Sequence, residues 1–539
     1  MSNCTGCLCI NRTRSDDDQQ HAYEPISTDP NPRSDQEIMI LSDKQALVNL
    51  SLTERGLVVV KRKPGAMHSL KLGNPSSSST RLIPYLSLLS FSLSTDSKSY
   101  LTIQALVPTK KDDENSKMRL WKLSGKVQPL HDEGGKGLAK KVYEQHVRPV
   151  LEAAKVSYQL TYTGPRGSPN HAVTLGQTHD STKFDSLIAV SGDGIIHELL
   201  NGLATHSSGK GKKALRESPV THVPCGSGNA LATSIVGNEK VGDWKYCTLV
   251  GLKGRPMEID LCSVTQKGGK RVFSFLTQAF GLMADLDLGT EHLRFLGDLR
   301  FTLGYVQGAL TRKRYPMKLK VLVEDSSKAS IARKYNKSLA SSSVSTPSSA
   351  TRQGEDDDLI PELEFGYPDE PLLQEIEREM KAKRTIDHLP KDGELDGGGK
   401  WWTLDLLSDK KGVFFLYGGK MPWISKDVML FPPASPNNGL LDLCLVAPMS
   451  PLEALTAMDS AETGSLFHHP SLLYLQTRAY RLEFPHSRDG DDKKKEMGFV
   501  SIDGEKLKHE DFAVEVHKGL GRVMALEGRL MGSKPIEGV

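Results

Sequence analysis

The chain has 539 residues and a formal net charge of +3, with 69 Lys and Arg against 66 Asp and Glu. This length is too great for one hydrophobic core and predicts two or three domains. The nearly balanced charge gives no case for a nucleic-acid-binding protein, because no strongly basic face is expected. No apolar run approaches the roughly 20 residues that span a bilayer, and no secretory leader is expected at the start of the chain.

The first part of the chain is polar and rich in Asp, Ser and Pro, so residues 1–44 are predicted to be a disordered tail. Cys4, Cys7 and Cys9 lie within it and are candidates for S-acylation, which would anchor the chain to a membrane without a spanning helix. A zinc site and plain exposed thiols are the alternatives, but no second Cys/His pair lies nearby to complete a zinc site. The four remaining cysteines are scattered, which indicates a reducing, intracellular compartment.

Residues 45–117 are predicted to be a β-rich region that carries no chemistry. From about residue 118 to residue 255 the pattern changes to alternating strands and helices. Apolar strands are expected at 156–162, 187–190 and 220–224, and a long helix at 138–154. This alternation predicts a doubly wound parallel sheet, in which ligands bind beyond the carboxyl ends of the strands.

Three glycine-rich turns lead into helices of this α/β region, at 134–137, 191–194 and 226–229. The second reads Ser-Gly-Asp-Gly and follows the buried strand 187–190. A strand, a glycine turn and a helix together place an anion at a helix N-terminus, where free N–H groups and the helix dipole favour it. Taken alone, this turn leaves two interpretations of Asp193 open, as an ordinary helix cap or as a group that acts on a ligand.

The turns do not fit the common nucleotide-binding motifs. No Ser or Thr follows Lys136, as a Walker A motif requires, and Leu231 stands where the third Gly of the dinucleotide fingerprint belongs. No protein-kinase catalytic-loop signature is present. The pattern therefore predicts a nucleotide site with separate phosphate-binding turns, in which Asp193 could accept the proton of an acceptor hydroxyl during phosphoryl transfer.

The second half of the chain reads as β structure. Strands recur beyond residue 255 and predict an antiparallel β-sandwich over 256–530, with a helical segment at 287–311. Residues 324–400 are Ser-rich, then acidic, then Gly-rich, and are predicted to be a disordered insertion in this domain.

Five motifs follow one another along the chain: Ser191-Gly-Asp-Gly, Pro224-Cys-Gly-Ser-Gly-Asn-Ala-Leu-Ala232, the stretch 281–304, Gly419-Lys-Met-Pro-Trp-Ile-Ser-Lys-Asp427 and Ser501-Ile-Asp-Gly-Glu505. In this order they resemble the sphingosine (long-chain-base) kinases, which belong with the diacylglycerol and ceramide kinases. The resemblance covers about 118–525 apart from the insertion. The N-terminal cysteines and the insertion are most similar to the fungal branch.

The resemblance implies an NAD-kinase-like α/β domain that binds ATP and a β-sandwich that holds the lipid. It implies transfer of the γ-phosphate of ATP, with Mg²⁺, to the primary hydroxyl of a sphingoid base, and it implies that Asp193 is the catalytic base. The residues that it assigns to the nucleotide or metal side are Gly134, Gly135, Lys136, Thr163, Ser191, Gly192, Gly194, Gly226, Ser227, Gly228, Asn229, Arg294, Arg300, Asp503, Gly504 and Glu505.

The resemblance also implies a substrate site, in which Asp287 pairs with the amino and hydroxyl groups of the sphingoid base and Leu286, Ser191 and Gly194 lie beside it. A sphingoid base is a cation, whereas diacylglycerol and ceramide are neutral. A semi-buried carboxylate pairs strongly with an ammonium group, so Asp287 favours the cationic lipid. A helix cap is the alternative for Asp287, and a solvated helix face is the alternative for the two arginines.

The first turn departs from the family pattern, which usually reads Asn-Pro-x-Gly-Gly-Lys-Gly. Gln128 precedes Pro129 here, and extra residues separate that Pro from Gly134. Two other functions stay open: a kinase of the same fold that acts on diacylglycerol, ceramide or NAD, and a non-catalytic lipid-binding relative. The chain is expected in the cytoplasm, peripherally associated with the cytoplasmic faces of membranes, and an oligomer is left open.

Overall fold

A computed structural model gives the backbone of the strands between residues 6 and 128. It describes residues 138–163, 172–266, 271–289, 308, 313–341, 358–365, 384–408, 411–485 and 498–538 more fully. None of the helices in these ranges is both long enough and apolar enough to cross a bilayer.

An antiparallel sheet of seven strands forms the N-terminal region, in the order β5-β4-β3-β2-β8-β7-β6. Its strands are β2 (Glu37–Ser42), β3 (Leu47–Thr53), β4 (Gly56–Lys61), β5 (Thr80–Ile83), β6 (Leu88–Ser94), β7 (Tyr100–Pro108) and β8 (Met118–Gln128). The sheet therefore begins inside the predicted tail and ends beyond residue 117. The predicted start of the α/β pattern at residue 118 was wrong, because β8 pairs with β7 and β2 in this separate sheet.

The α/β half follows the predicted alternation of strands and helices. Its own strands are β9 (Ser157–Tyr162), β10 (Ser186–Ser191) and β11 (Val220–Pro224). Its helices are α1 (Leu138–Val142), α2 (Arg148–Ala153), α3 (Ala172–Gln177), α4 (Asp193–Ala204), α5 (Gly211–Glu217), α6 (Ala230–Val236) and α7 (Trp244–Lys253), and a π-helical turn, Tyr143–Val147, joins the first two.

Burial explains why these segments adopt their structure. Every residue of β10 is buried, as expected for an apolar strand covered on both faces of a sheet. Along α4 the buried residues Ile196, Leu199, Leu200 and Leu203 recur at helical spacing, so that one stripe of the helix packs on the sheet.

A strand from the beginning of the chain, β1 (Gly6–Asn11), enters this sheet. It lies between β9 and β10 and is antiparallel to both. The prediction of a tail that is disordered throughout was therefore wrong over these six residues, which include Cys7 and Cys9, as it was over β2. Pairing partners more than a hundred residues away leave no signal in the local sequence pattern, which is why the strand was missed.

The second half is mainly antiparallel β structure. Its strands are β12 (Arg255–Gln266), β13 (Val272–Ser274), β14 (Thr277–Gly281), β15 (Met317–Asp325), β16 (Thr385–Ile386), β17 (Lys400–Leu406), β18 (Phe415–Gly419), β19 (Leu441–Val446), β20 (Leu472–Glu483), β21 (Val500–Ile502), β22 (Glu505–Leu507) and β23 (Phe512–Ala525). Its helices are α8 (Leu282–Gly289), α9 (Lys328–Ser341) and α10 (Pro451–Thr463), with 3-10 turns at Ser465–His468 and Leu526–Gly528.

These strands form one branched network with those of the α/β half, rather than two separately paired sheets. The main path runs β22-β21-β14-β18-β19-β20-β23-β11-β10-β1-β9. One branch leaves it at β23, through β12 to β13, and another leaves it at β20, through β15 to β17 and β16. Strand β23 joins the halves, since it pairs with β12 along one edge and, along the other edge, with β20 near its start and with β11 near its end. The predicted insertion 324–400 is ordered in part, because α9 buries Ile331, Ala332 and Tyr335.

Candidate active site

The first turn of the site connects β10 to α4. Gly192 has extended backbone angles, with φ −89° and ψ 177°, and Asp193 is the first residue of the helix. The carboxyl ends of β9, β10 and β11 lie at the same level of the sheet here. Gly6 of β1 pairs with Tyr162 of β9 and with Val190 of β10, and Ser191 of β10 pairs with Pro224 of β11. Thr163, which follows β9 and is buried, therefore lies at the same sheet edge as the turns, as the parallel-sheet rule predicts.

The second turn, between β11 and α6, is held in place by Asn229. This residue has left-handed backbone angles, with φ 55° and ψ 33°. Its Oδ1 accepts the Gly226 N–H at 2.8 Å, and its Nδ2 donates to the Gly226 carbonyl at 2.6 Å. The two turns touch, because a Cβ added at Gly226 would lie 2.6 Å from Cα of Gly192. Glycine is therefore required at Gly226 by the close approach of two backbones.

This contact predicts the effect of adding one methyl group. Gly226→Ala is expected to lower the free energy of unfolding by about 1–3 kcal/mol, because neither backbone can move without breaking the Asn229 clamp. Gly242→Ala is the matched control, since a Cβ there meets nothing within 4 Å. Denaturant unfolding of both variants tests this, and equal stability of the two would contradict the close contact.

Asp193 connects the two turns. Its Oδ2 accepts the Ala230 N–H at 3.0 Å and its Oδ1 accepts the Leu231 N–H at 3.1 Å. The carboxylate thus caps α6, which is not its own helix, and its side chain remains 13% exposed. A cap and a reactive group are compatible here, because the capping bonds fix the carboxylate while part of it stays open to a ligand.

A histidine lies behind Asp193. His222 is on β11 and its side chain is fully buried. Its Nε2 is 2.8 Å from the Ser191 carbonyl oxygen, and its Nδ1 is 3.7 Å from Oδ1 of Asp193. No role was predicted for this residue. The available signal was an ionisable side chain inside a five-residue strand that was expected to be buried.

Two side chains of α4 anchor the helix that carries Asp193 to the second half. Asn201 exchanges two hydrogen bonds with Phe273 of β13, each at 2.8 Å. One turn earlier, His197 Nδ1 lies 2.8 Å from Oδ2 of Asp503. These contacts fix the direction of α4, and hence the position of Asp193 relative to the strands of the second half.

Asp503 is the centre of a buried hydrogen-bond network. Its side chain is fully buried, and besides His197 it accepts hydrogen bonds from Ser274 Oγ and from three successive backbone N–H groups. The backbone donors are Phe275, Leu276 and Thr277, at 2.8–3.1 Å. The resemblance implies that Asp503 faces the nucleotide or metal, whereas its carboxylate here is enclosed by donors of the protein itself.

This network predicts a loss of stability for a minimal change. Asp503→Asn replaces one acceptor oxygen by an NH₂ group that would face donors, and is expected to lower the free energy of unfolding by about 2 kcal/mol. Thermal or denaturant unfolding measures the change. Asp427→Asn is the control, because the Asp427 side chain is 62% exposed and surface substitutions of this kind change stability by about 0.5 kcal/mol or less. Wild-type stability of Asp503→Asn would contradict the buried network.

Segments of the second half complete the site. A Cβ added at Gly194 would lie 3.6 Å from Oε1 of Glu505, which places this carboxylate beside the start of α4. Gly504, with φ +84°, forms the tight turn that precedes it. The backbone N–H of Lys426 donates to the Gly228 carbonyl at 2.9 Å. The site therefore lies where both halves meet.

A buried ion pair supports the segment that contacts Gly228. The side chains of Lys420 and Asp260 are both fully buried, and Nζ lies 2.8 Å from Oδ2. Lys420 also donates to the carbonyls of Ser435 and Leu440 and to Asn438. Asp260 accepts N–H bonds from Gly439 at 2.7 Å and from a second glycine, 519, at 2.8 Å. Both charges are fully compensated, as buried charges must be.

Two of the predicted substrate residues, Leu286 and Asp287, lie on α8, whereas Ser191 ends β10 and Gly194 lies at the start of α4. Leu286 is buried in the apolar core of the second half, and the backbone of Asp287 is helical while its side chain lies outside the described residues. Asp285, two residues earlier, accepts hydrogen bonds from Lys313, Tyr315 and the Phe499 N–H at 2.6–2.9 Å. This carboxylate fixes α8 to the segments that lead into β15 and β21. The bonds of Asp285 were not predicted.

Several predicted positions are outside the described residues: Gly134, Gly135, Lys136, Arg294, Arg300 and Cys4. Within the described ranges, no group of three or more His, Cys, Asp and Glu side chains is arranged to hold a metal ion. Burial raises the pKa of Cys225, next to Gly226, to about 12, so this thiol remains protonated and is not a nucleophile.

Residues 130–264 match the diacylglycerol kinase catalytic domain. The chain is 29% identical over 427 residues to sphingoid long chain base kinase 5 of Saccharomyces cerevisiae, covering 74% of this chain and 58% of that protein. It is 27% identical over 397 residues to sphingoid long chain base kinase 4 of Schizosaccharomyces pombe, covering 74% of each. Human sphingosine kinase 2 is 39% identical over 197 residues, which are 35% of this chain and 29% of that protein.

The chain therefore spans less than two thirds of the length of the budding-yeast and human relatives. A crystal structure of a diacylglycerol kinase from Bacillus anthracis aligns with a TM-score of 0.41 at 13% identity, over 74% of this chain and 94% of that one.

Proposed function

We propose that this chain, a homologue of the sphingoid long-chain-base kinases with a diacylglycerol kinase catalytic domain at residues 130–264, is an ATP-dependent lipid kinase. It transfers the γ-phosphate of ATP to the primary hydroxyl of a sphingoid base and releases ADP. The observation that carries this proposal is the contact of two glycine turns around one carboxylate. Gly192 and Gly226 touch, and Asp193 bridges the turns at the carboxyl ends of the strands.

The glycine turns are suited to phosphate groups. In the first turn of α4, backbone N–H groups lack partners within the helix, and the helix dipole favours an anion. Gly192 and Gly194 carry no Cβ that would keep a phosphate away from the backbone, and Gly226 and Gly228 let the second turn pack closely against Gly192 and Asp193. We assign ATP to this surface, with Ser227 and Asn229 beside it and Thr163 at the same sheet edge.

Asp193 acts as the base in this proposal. The O–H bond of the lipid breaks, its proton passes to the carboxylate, and the oxygen forms a bond to the γ-phosphorus. The bond from that phosphorus to the bridging oxygen breaks, and its electron pair leaves with ADP. The capping bonds from Ala230 and Leu231 hold the carboxylate in place throughout, so orientation costs nothing at the moment of transfer.

Mg²⁺ fits the oxygen chemistry of the site. Mg²⁺ prefers carboxylate and phosphate oxygens, and Glu505 presents a carboxylate beside Gly194 at the start of α4. We assign the ion to Glu505 and to the nucleotide phosphates. When bound, Mg²⁺ neutralises the charge that develops on those phosphates. Asp503 has a structural role in this proposal, because its oxygens are occupied by five protein donors.

Asp287 selects the acceptor lipid. It lies one residue after buried Leu286 on α8, so the carboxylate belongs to a helix that enters an apolar core. An ammonium group compensates a semi-buried carboxylate, whereas a neutral lipid leaves it unpaired. Arg294 and Arg300 are proposed to contact the ATP phosphates, since guanidinium groups bind them in a bidentate manner.

The experiment is a transfer assay from radiolabelled ATP to sphinganine, phytosphingosine, diacylglycerol, ceramide and NAD. Phosphate transfer to the two sphingoid bases, and little to the others, is expected. Asp287→Ala is expected to raise the KM for sphinganine while the KM for ATP changes little. Transfer to neutral lipids alone would overturn the sphingoid assignment, and no transfer to any acceptor would overturn the kinase.

We also propose that the chain works at the cytoplasmic faces of membranes, where its lipid substrate lies, and that S-acylation of Cys4, Cys7 or Cys9 assists binding. Cys7 and Cys9 lie in β1, which is paired on both edges. Cys4 lies outside the range of this strand, and we favour it as the site. Unchanged membrane partition of a variant with Ser at all three positions would overturn the anchor.

A further inference from the structure

His222 has an unusual hydrogen-bond arrangement next to the proposed base. A carbonyl oxygen only accepts hydrogen bonds, so the nitrogen facing the Ser191 carbonyl at 2.8 Å, Nε2, carries a hydrogen. In the neutral ring, Nδ1 is then an acceptor. This atom is buried, and it has no hydrogen-bond partner among the described residues. Oδ1 of Asp193 lies 3.7 Å away, just beyond hydrogen-bond distance.

An unpartnered buried acceptor destabilises a protein, and native structures rarely keep one without a reason. The Asp193 anion offers Nδ1 no hydrogen, so the two groups do not bond before the reaction. Once Asp193 carries a proton, its O–H can donate to Nδ1. The pair is therefore complementary to the protonated form of Asp193, which is the form in which the proposed proton transfer leaves it.

The hydrogen bond to His222 and the capping bonds favour different forms of Asp193. The N–H groups of Ala230 and Leu231 donate hydrogen bonds to the carboxylate oxygens of Asp193 and so favour the carboxylate as it stands before the reaction. Nδ1 of His222 gains a hydrogen bond only when Asp193 carries the proton, so this nitrogen favours the protonated form. Interactions that strengthen as the reaction proceeds raise kcat, whereas those already present in the ground state do not.

We propose that His222 is a positioning residue for Asp193. In this proposal Asp193 holds the proton taken from the lipid hydroxyl and donates it in a hydrogen bond to Nδ1 of His222. The lipid O–H bond breaks, the proton binds Oδ1 of Asp193, and this new O–H donates to Nδ1 of His222. The proton later returns to solvent, and no other reactant is needed. The inference rests on the proposed role of Asp193 as the base, and it adds a second residue to that role.

Two amide substitutions separate this function from a structural one. Gln at position 222 can place its NH₂ near the Nε2 position and keep the bond to Ser191, but it has no acceptor at the Nδ1 position. Asn can place its carbonyl oxygen near the Nδ1 position and lose the bond to Ser191. His222→Gln is expected to reduce kcat roughly 10- to 100-fold, with the KM for ATP within about twofold of the wild-type value.

His222→Asn is expected to retain more kcat than His222→Gln. The reverse order, or a His222→Gln variant with wild-type kcat, would overturn the inference and leave His222 a structural contact of Ser191. Asp193→Asn is assayed alongside. If it loses activity while His222→Gln does not, only this inference fails. If Asp193→Asn keeps wild-type kcat, the proposed base itself fails.

A double variant covers the case in which one substitution weakens the fold. If the two residues act as a unit, Asp193→Asn combined with His222→Gln should have the same kcat per folded molecule as Asp193→Asn alone. Circular dichroism and thermal unfolding give the folded fraction. If the loss of kcat in the double variant equals the product of the two single losses, the coupling is overturned.

Discussion

Asp193→Asn is expected to lower kcat for phosphate transfer to sphinganine by about 10²–10⁴-fold, because the amide cannot accept the hydroxyl proton. The fold should tolerate the change. Asn keeps one oxygen acceptor for the N-terminus of α6, and the cost in unfolding free energy is expected to be about 1 kcal/mol. The KM for ATP should change little, since the glycine turns that contact the nucleotide remain.

Asp243→Asn is the matched control for this variant. Asp243 caps α7 and accepts the Tyr246 N–H at 3.0 Å, so it has the capping role of Asp193 without a place in the site. Asn caps helices about as well as Asp, and neither stability nor kcat should change. If Asp193→Asn behaves like Asp243→Asn, with full activity, Asp193 is a cap alone.

The largest loss of stability is expected when the buried ion pair is broken. Lys420→Met leaves the Asp260 charge buried without its cation, and the free energy of unfolding should fall by about 3–5 kcal/mol. The double variant with Asp260→Asn should recover part of this loss, because no uncompensated charge is left. Denaturant unfolding at constant pH gives the free energy of unfolding of the wild type, of Lys420→Met and of the double variant.

Lys213→Ala is the control for Lys420→Met. Lys213 forms an ion pair with Glu217. The side chains are 46% and 45% exposed, respectively, and the charged atoms are 3.9 Å apart. Removing such a pair changes stability by about 0–1 kcal/mol. A loss of similar size in Lys420→Met would mean that water reaches the Lys420 pair, in contradiction to its burial.

The sequence predicts well those features of the site that depend on local pattern. The apolar run at 187–190 and the helical spacing after Gly194 define a buried strand and an amphipathic helix, and both are present. The rule that ligand-binding turns gather at the carboxyl ends of parallel strands brings Ser191 and Gly226 together, and in the structure the two turns touch.

Features that depend on distant partners could not be predicted in this way. The Ser-Ile-Asp-Gly-Glu motif contains two carboxylates, and nothing local distinguishes buried Asp503 from Glu505 beside the turn. Their difference arises from donors at 274–277 and from His197, which lie more than two hundred residues earlier. Strand β1 was missed for the same reason, because strand pairing between remote segments has no local period.

The path of β23 has a consequence for how the protein is made. Strand β23 is the neighbour of β11 through the pair Val220 and Val523, and it also pairs with β12 and β20. A fragment limited to 130–264 would leave that edge of the catalytic sheet open, with unpaired backbone groups and an apolar face exposed to aggregation. During synthesis the sheet stays incomplete until residue 525 has left the ribosome. The sheet of the α/β half is therefore expected to reach its final state only after β23 has been synthesised.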